Sequence, residues 1–302
     1  MSLIFWSLSI LSLLALYHTV AMRSLCAGLT VRYTWYWAVT STAVFCVSTI
    51  LCGPVFHDTS GWLSGLQCLS AVMLLTPSVC TLGARRPGVA AWQWFVVLPL
   101  VFVLAWPGLI QIATSHGRGT VQLSGPAIIG FAVVTLMSAS PGLSRTMTLA
   151  TLLHLLTVLL TLWPLTGWPW FPIPASLFAP IPLLASKVLA NRQLRSRLAQ
   201  ISASASAADR LNEVWGFIQD FYGVVWPQRI MERMRQFEQA EKWSCRLTAD
   251  GFQKHDASEL THADLVKPVE SFRWVLQRFA DADWIDRYVP AIAPGNSSWP
   301  KP

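Results

Sequence analysis

Acid is what this chain has least of. Its first 190 residues hold one carboxylate, Asp58, against seven bases: Arg23, Arg32, Arg85, Arg86, Arg118, Arg145 and Lys187. Soluble domains usually carry about a quarter charged residues, and only 12% of this chain is charged. The first 190 residues therefore do not read as a water-soluble domain. The missing Asp and Glu also argue against a proton-coupled transporter, whose intramembrane relays usually employ them. There is no Walker glycine loop, no GxSxG and no HExxH, the patterns that carry phosphate binding, nucleophilic hydrolysis and zinc proteolysis. Six cysteines are scattered without a CxxC. They read as small buried apolar residues and not as a disulfide framework. On these absences the chain reads as non-enzymatic, with no cofactor and no metal site expected.

What is present is apolar length. About 20 mostly apolar residues cross a bilayer as a helix. Seven stretches fit: 3–22, 33–53, about 62–82, about 89–107, about 121–140, 147–165 and about 173–190. The fifth has the shortest apolar core, because Gln122, Ser124, Gly125 and Pro126 lie at its start. The seventh carries Pro174, Pro180 and Pro182, so a kinked or late-starting helix is expected. Seven spans put Arg23, Arg32, Arg85, Arg86, Arg145, Lys187, Arg192, Arg195 and Arg197 on one face, with only Arg118 on the other. The positive-inside rule then places the N-terminus outside and the C-terminus in the cytoplasm, in the cell (inner) membrane. Dropping the fifth span would split the bases between faces.

After residue 190 the composition changes: the remaining 112 residues hold 14 acids and 15 bases. The expected fold is an all-α membrane protein, a seven-helix transmembrane bundle (1–190) with a small, mainly helical cytoplasmic C-terminal domain (209–290). Residues 191–208 form a basic juxtamembrane segment and connector, of which 198–208 are either flexible or a continuation of the seventh helix. Residues 291–302 form a disordered tail. Leu211, Val214, Trp215, Ile218, Phe221 and Tyr222 recur at helical spacing. A second helix carries Pro227 in its first turn, with Ile230, Met234 and Phe237 on one face. Residues 243–253 suggest a short strand and turn, Thr261 and Asp264 a capping pair, and 268–280 a helix. A last short helix spans Trp284 to Val289. So small a domain, with such apolar faces, needs a partner: the membrane surface, the bundle's loops or another protein.

Histidines are the leading site candidates. His18 and His154 lie roughly 6 and 12 Å from the inner edge at 1.5 Å per residue. Similar depth on two helices is what a bis-imidazole haem requires. The plainer account is a hydrogen-bonded histidine inside the bundle. His57, Asp58 and His116 are loop residues on the outer side, and His255, Asp256, Glu259, His262 and Asp264 cluster in the C-terminal domain; neither set has metal-ligand spacing. Trp163, Trp168 and Trp170 in WPLTGWPWFPIP loosely resemble the tryptophan-rich haem-handling segment of cytochrome c assembly proteins. Phe171 stands where that motif has an acid, and an interfacial aromatic belt accounts for the tryptophans. Lys187 has no carboxylate in any span to serve as counter-ion, unlike the Schiff-base lysine of retinal proteins, and reads as snorkelling to lipid phosphates. Arg229, Arg233 and Arg235 face anionic lipid in this reading, diluted by Glu232 and Glu238.

The functional expectation is a scaffold or signal-transducing membrane component. Its cytoplasmic domain binds a protein partner, its other partner is the lipid bilayer, and nucleic acid is excluded by the absence of a basic stripe. The alternatives are a haem-binding or cofactor-assembly membrane protein and a transporter of a neutral solute.

Overall fold

A computed structural model of the chain describes residues 2–51, 61–116, 120–144, 146–167, 175–256 and 258–291. Its membrane half contains α1 (Ser2–Ala21), α2 (Arg32–Leu51), α3 (Gly61–Leu82), α4 (Val89–Thr114, with a π-turn over Gln93–Val97), α5 (Gly125–Ala139), α6 (Thr148–Leu162) and α7 (Pro180–Ala203). Five of these, α1 to α4 and α6, are long and apolar enough to cross a membrane. The fold is all-α in class, with the apolar helices of a multi-pass membrane protein.

The central helix is α3, which packs against α2, α4, α5 and α6. It can do so because its surface is small: Gly61, Gly65, Cys68, Ser70, Ala71 and Thr76 are all buried. Small residues let helix backbones approach closely where lipid supplies no hydrophobic drive. A Cβ at Gly65 would lie 2.0 Å from Ile112 Cδ1 of α4, so a larger residue here would force the Ile112 side chain to move. Around α3, α1 packs on α2 and α7, and α6 packs on α7.

The basic stretch after residue 190 is not a flexible linker. The chain stays helical through Ala203, so α7 carries Arg192, Arg195 and Arg197 out of the bundle. Its start is late, at Pro180, with prolines in the first turn; Pro174 lies outside the described residues. Ser206 then caps the next helix by accepting from the Asp209 N–H at 3.0 Å.

The C-terminal module comprises α8 (Ala207–Tyr222), α9 (Val225–Glu241), an antiparallel hairpin of β1 (Cys245–Thr248) and β2 (Gly251–Lys254), α10 (His262–Leu276) and α11 (Ala282–Tyr288). The apolar face expected on α8 is buried, and Trp215 stacks edge-on against Phe272 of α10. The helix expected over 268–280 instead begins at His262, immediately after its Thr261–Asp264 capping box. Pro268 therefore lies inside α10 and leaves the Asp264 carbonyl, four residues back, without its helical donor. The Cys245 thiol points at that carbonyl at 3.6 Å. Burial pushes the Cys245 thiol up to about 11, so it remains a protonated donor.

The module does not fold around its own residues alone. Leu25, Cys26, Leu29, Val31, Ala84 and Met147, from the segments after α1, α3 and α5, belong to the same buried cluster as Trp215, Phe217, Tyr222 and Phe279. Of the three coverings expected for the apolar faces of α8 and α9 (membrane surface, the bundle's loops or another protein), the loops supply much of it: Trp215 is 1% exposed and Trp226 is 7% exposed.

Burying a large apolar side chain contributes about 1.5–3 kcal/mol, and whole domains are stable by only about 5–15 kcal/mol. Losing the contacts to Leu25, Leu29, Val31 and Met147 together is thus comparable to the module's entire stability. Residues 205–302 expressed alone should be partly helical and self-associating. Sedimentation together with thermal melting checks this, and a monomer with a sharp reversible transition would contradict it.

Candidate functional site

Two features converge where the bundle meets the module. The first is a hydroxyl pair. Thr30 Oγ1 lies 2.7 Å from the Ala84 carbonyl, 3.1 Å from the Phe279 carbonyl and 2.9 Å from the Tyr222 hydroxyl, which in turn donates to Phe279 O at 2.8 Å. All are buried. With Tyr222 donating to Phe279 O, the single Thr30 hydroxyl proton is left for the Ala84 carbonyl, its nearest acceptor, and the Thr30 N–H adds a further link to Phe279 O at 2.8 Å. Burial holds the Tyr222 phenol above its ordinary range, so it stays a donor. Beside it, Leu29 and Ala280 form an isolated antiparallel bridge, and the Asp281 N–H donates to Gly28 O at 2.7 Å. Gly28 has φ +78°, and a Cβ there would sit 3.0 Å from Trp284 Cβ, so glycine is required on both counts. Arg86 pairs with Asp281, its N–H donates to Arg278 O at 2.9 Å, and Trp226 Nε1 donates to Thr81 O at 3.0 Å.

The second feature is a chamber of about 200 Å³ framed by α1, α2, α3, α6 and α7 and floored by Asp220 and Phe221 of α8. Its polar walls include His154, Ser186 and Lys187. His154 Nε2 lies 2.8 Å from Leu74 O. Because a carbonyl only accepts, the proton sits on Nε2 and Nδ1 is left as a bare acceptor. That Nδ1 is buried and has no hydrogen-bond partner among the described residues. Lys187, expected to reach lipid phosphates, lines this chamber instead. At the floor, the buried Asp220 carboxylate accepts from Ser144 Oγ at 3.0 Å, from Thr146 Oγ1 and from Arg197 Nε at 3.3 Å. Arg197 also pairs with Glu213 at 3.0 Å. One carboxylate therefore ties α8 to both the segment before α6 and the extension of α7.

The two candidate histidines have different surroundings. His18 Nδ1 is 3.4 Å from Asn191 Nδ2, in a polar cluster where Arg195 donates to Asn191 Oδ1 at 2.8 Å and to Ala21 O at 3.1 Å. His154 borders the chamber and His18 is not among its walls. His57, Asp58, Trp168, Trp170 and Phe171 lie outside the described residues, and His116 is exposed with φ +53°. In the module, His255 pairs with Glu238 at 3.3 Å and Asp264 with Lys254 at 3.2 Å. Among the described residues no three His, Cys, Asp or Glu side chains converge as metal ligands.

Sequence reasoning missed Thr30, Tyr222, Asp220 and Ser144. Thr30 and Tyr222 are 192 residues apart, and neither shows any local pattern that announces the other. A buried acid at the end of the apolar face of α8 was the one available signal. No protein-family model, no curated protein and no solved structure matches the chain.

Replacing Thr30 with Val removes the hydroxyl and leaves buried acceptors short of a donor, at a cost of about 1–3 kcal/mol. Amide exchange at Thr30 and Asp281 should therefore accelerate by roughly ten-fold or more. Mass spectrometry of exchanged peptides reads this. Unchanged protection there would show that the hydroxyl pair does not hold the module in place.

Proposed function

We propose that the chain is a seven-span protein of the inner cell membrane, N-terminus outside and module in the cytoplasm, and that it is a scaffold or signal-transducing component whose module binds a protein partner. Three observations support seven crossings. The bases cluster on the odd-numbered loops and the tail. The segments after α1, α3 and α5 all touch the module, so the helix pairs between them return to the same side. Finally, α5 has only 15 residues, about 22 Å against a hydrocarbon core of about 30 Å, and three backbone N–H groups of the non-helical residues before it are paired within the protein. Val121 N–H donates to Ser64 Oγ at 2.9 Å, Gln122 N–H to Gln111 Oε1 at 2.7 Å and Leu123 N–H to Leu165 O at 2.8 Å. Irregular backbone is tolerated at membrane depth only when satisfied in this way.

The observation that carries the functional reading is the shared core. Three membrane loops and the module bury one cluster, so rearrangement of the bundle cannot leave the module undisturbed. A ligand in the chamber would touch Lys187 and His154 of the bundle and Asp220 of the module at once. That geometry suits conversion of a membrane event into a change in the module. With the apolar faces of α8 and α9 largely occupied, a protein partner would meet polar surface such as Arg246 and Gln253 of the exposed hairpin.

Topology and partnership are separable. A reporter active only in the cytoplasm should work when fused after Arg197 and fail at His116; activity at both positions contradicts seven spans. A photo-crosslinker at Gln253 should yield a discrete adduct with a second protein in intact cells. Adducts confined to lipid or to the chain itself would remove the partner from the account.

A further inference from the structure

Four arginines gather without a counter-charge on the module face beside the end of α3. Arg85 follows α3, Arg229 and Arg233 lie one turn apart on α9, and Arg278 follows α10; together they wall a cleft of about 350 Å³. Among the described residues none of the four lies within ion-pair distance of a carboxylate. The acids expected to dilute this patch are engaged. Glu232, the one acid in the cleft wall, pairs with Arg235 at 3.6 Å, and Glu238 pairs with His255 at 3.3 Å. Arg235 itself does not border the cleft.

The guanidiniums are held by aromatic faces. Arg85 and Arg229 lie 6.0 and 5.2 Å from the Trp226 ring centroid, and Arg233 and Arg278 lie 5.8 and 5.3 Å from that of Trp274. Cation–π contact restrains a guanidinium while leaving N–H groups at its edge to donate; Arg233 uses one of them on Gln236 Oε1 at 2.7 Å. Like charges one helical turn apart, as Arg229 and Arg233 are, destabilise a helix. Among the described residues no carboxylate within ion-pair distance of either arginine offsets that cost. A phosphate would, because arginine forks match phosphate oxygens in two-point, charge-assisted hydrogen bonds.

The height of the cleft narrows the choice of phosphate. Trp226 is anchored to Thr81 O, in the last turn of α3, and Arg85 stands three residues beyond that helix. A membrane-length helix ends where lipid headgroups begin, the zone in which tryptophan and basic side chains concentrate. We propose that this cleft binds the phosphate of an anionic lipid headgroup, in whichever leaflet faces the module. The assignment does not rest on the signalling role.

The test uses the full-length protein in a neutral detergent, with short-chain phosphatidic acid as probe. Binding is read by native mass spectrometry and by slowed amide exchange over α9 and α10. Short-chain phosphatidylcholine, glycerol phosphate and inorganic phosphate are the comparison arms. Phosphatidic acid should bind and protect in preference to all three, more weakly as salt rises. Arg229→Gln with Arg278→Gln should weaken binding by roughly ten-fold or more, the scale of lost hydrogen bonds to charged groups. Arg229→Lys with Arg278→Lys, which keeps charge and solubility, should show an intermediate loss because the fork is gone. Arg246→Gln, at an exposed arginine of the hairpin outside the cleft, should bind as the parent does. Equal protection by inorganic or glycerol phosphate would overturn the lipid assignment. Absence of protection by any phosphate, or an Arg246→Gln loss matching that of the Arg229–Arg278 pair, would overturn the site.

Discussion

The structure depends on one constraint: the module has too little apolar material of its own, and the membrane loops supply the rest. Leu25, Leu29, Val31, Ala84 and Met147 enter the core of the module, and the Thr30–Tyr222 hydroxyl pair fixes their register against Phe279. A hydrophobic interface alone would tolerate sliding, since burial is non-directional. The buried hydroxyls do not tolerate it, because any displacement leaves a carbonyl without its donor in a dry site. The ion pair of Arg86 with Asp281 and the bridge of Leu29 with Ala280 flank the same seam. The partly exposed ion pair adds little by itself; the seam is held by burial and by backbone pairing.

From this constraint the placement of the polar groups follows. Asp220 can be buried because Ser144, Thr146 and Arg197 converge on it, and they converge only when the module is seated. The chamber exists for the same reason, since its floor belongs to α8 and its walls to the bundle. The bare Nδ1 of His154 is the least satisfied group in that region. Its acceptor character is imposed by Leu74 O on the other side of the ring. The arginine cleft lies on the outer side of the same junction, where Trp226 joins α9 to α3.

Periodicity and charge made much of the architecture legible. Helices α3 and α6 follow the apolar runs closely, and the α8 face from Leu211 to Tyr222 is buried at the expected spacing, with Phe221 half-exposed. Local signals failed where a distant residue decides the outcome. Pro268 looked like a helix start, yet α10 begins six residues earlier, with Cys245 beside the carbonyl that Pro268 leaves unpaired. Lys187 looked like a snorkelling residue because it sits near the inner edge with no carboxylate in any span; it lines the chamber with His154 of α6 instead. The Arg229–Arg233 pair was visible on one helix. Arg278 and Arg85, which complete the cleft, arrive from segments far along the chain, and no spacing rule links them. The aromatic faces of α8 signalled a need for cover from the membrane surface, the bundle's loops or another protein, and sequence gives no sign of which loops return to supply it.

The central claim, that membrane loops and module form one core, is tested most directly by a cross-link across the Leu29–Ala280 bridge. Paired bridge positions place Cα atoms about 4.5–5.5 Å apart, within reach of a disulfide. In native membranes Leu29→Cys with Ala280→Cys should form an intramolecular disulfide readily under mild oxidation, while Leu29→Cys with Cys at the exposed hairpin position Gln253 should not. Failure of the first pair to cross-link, or equal yields from both, would contradict a seated module.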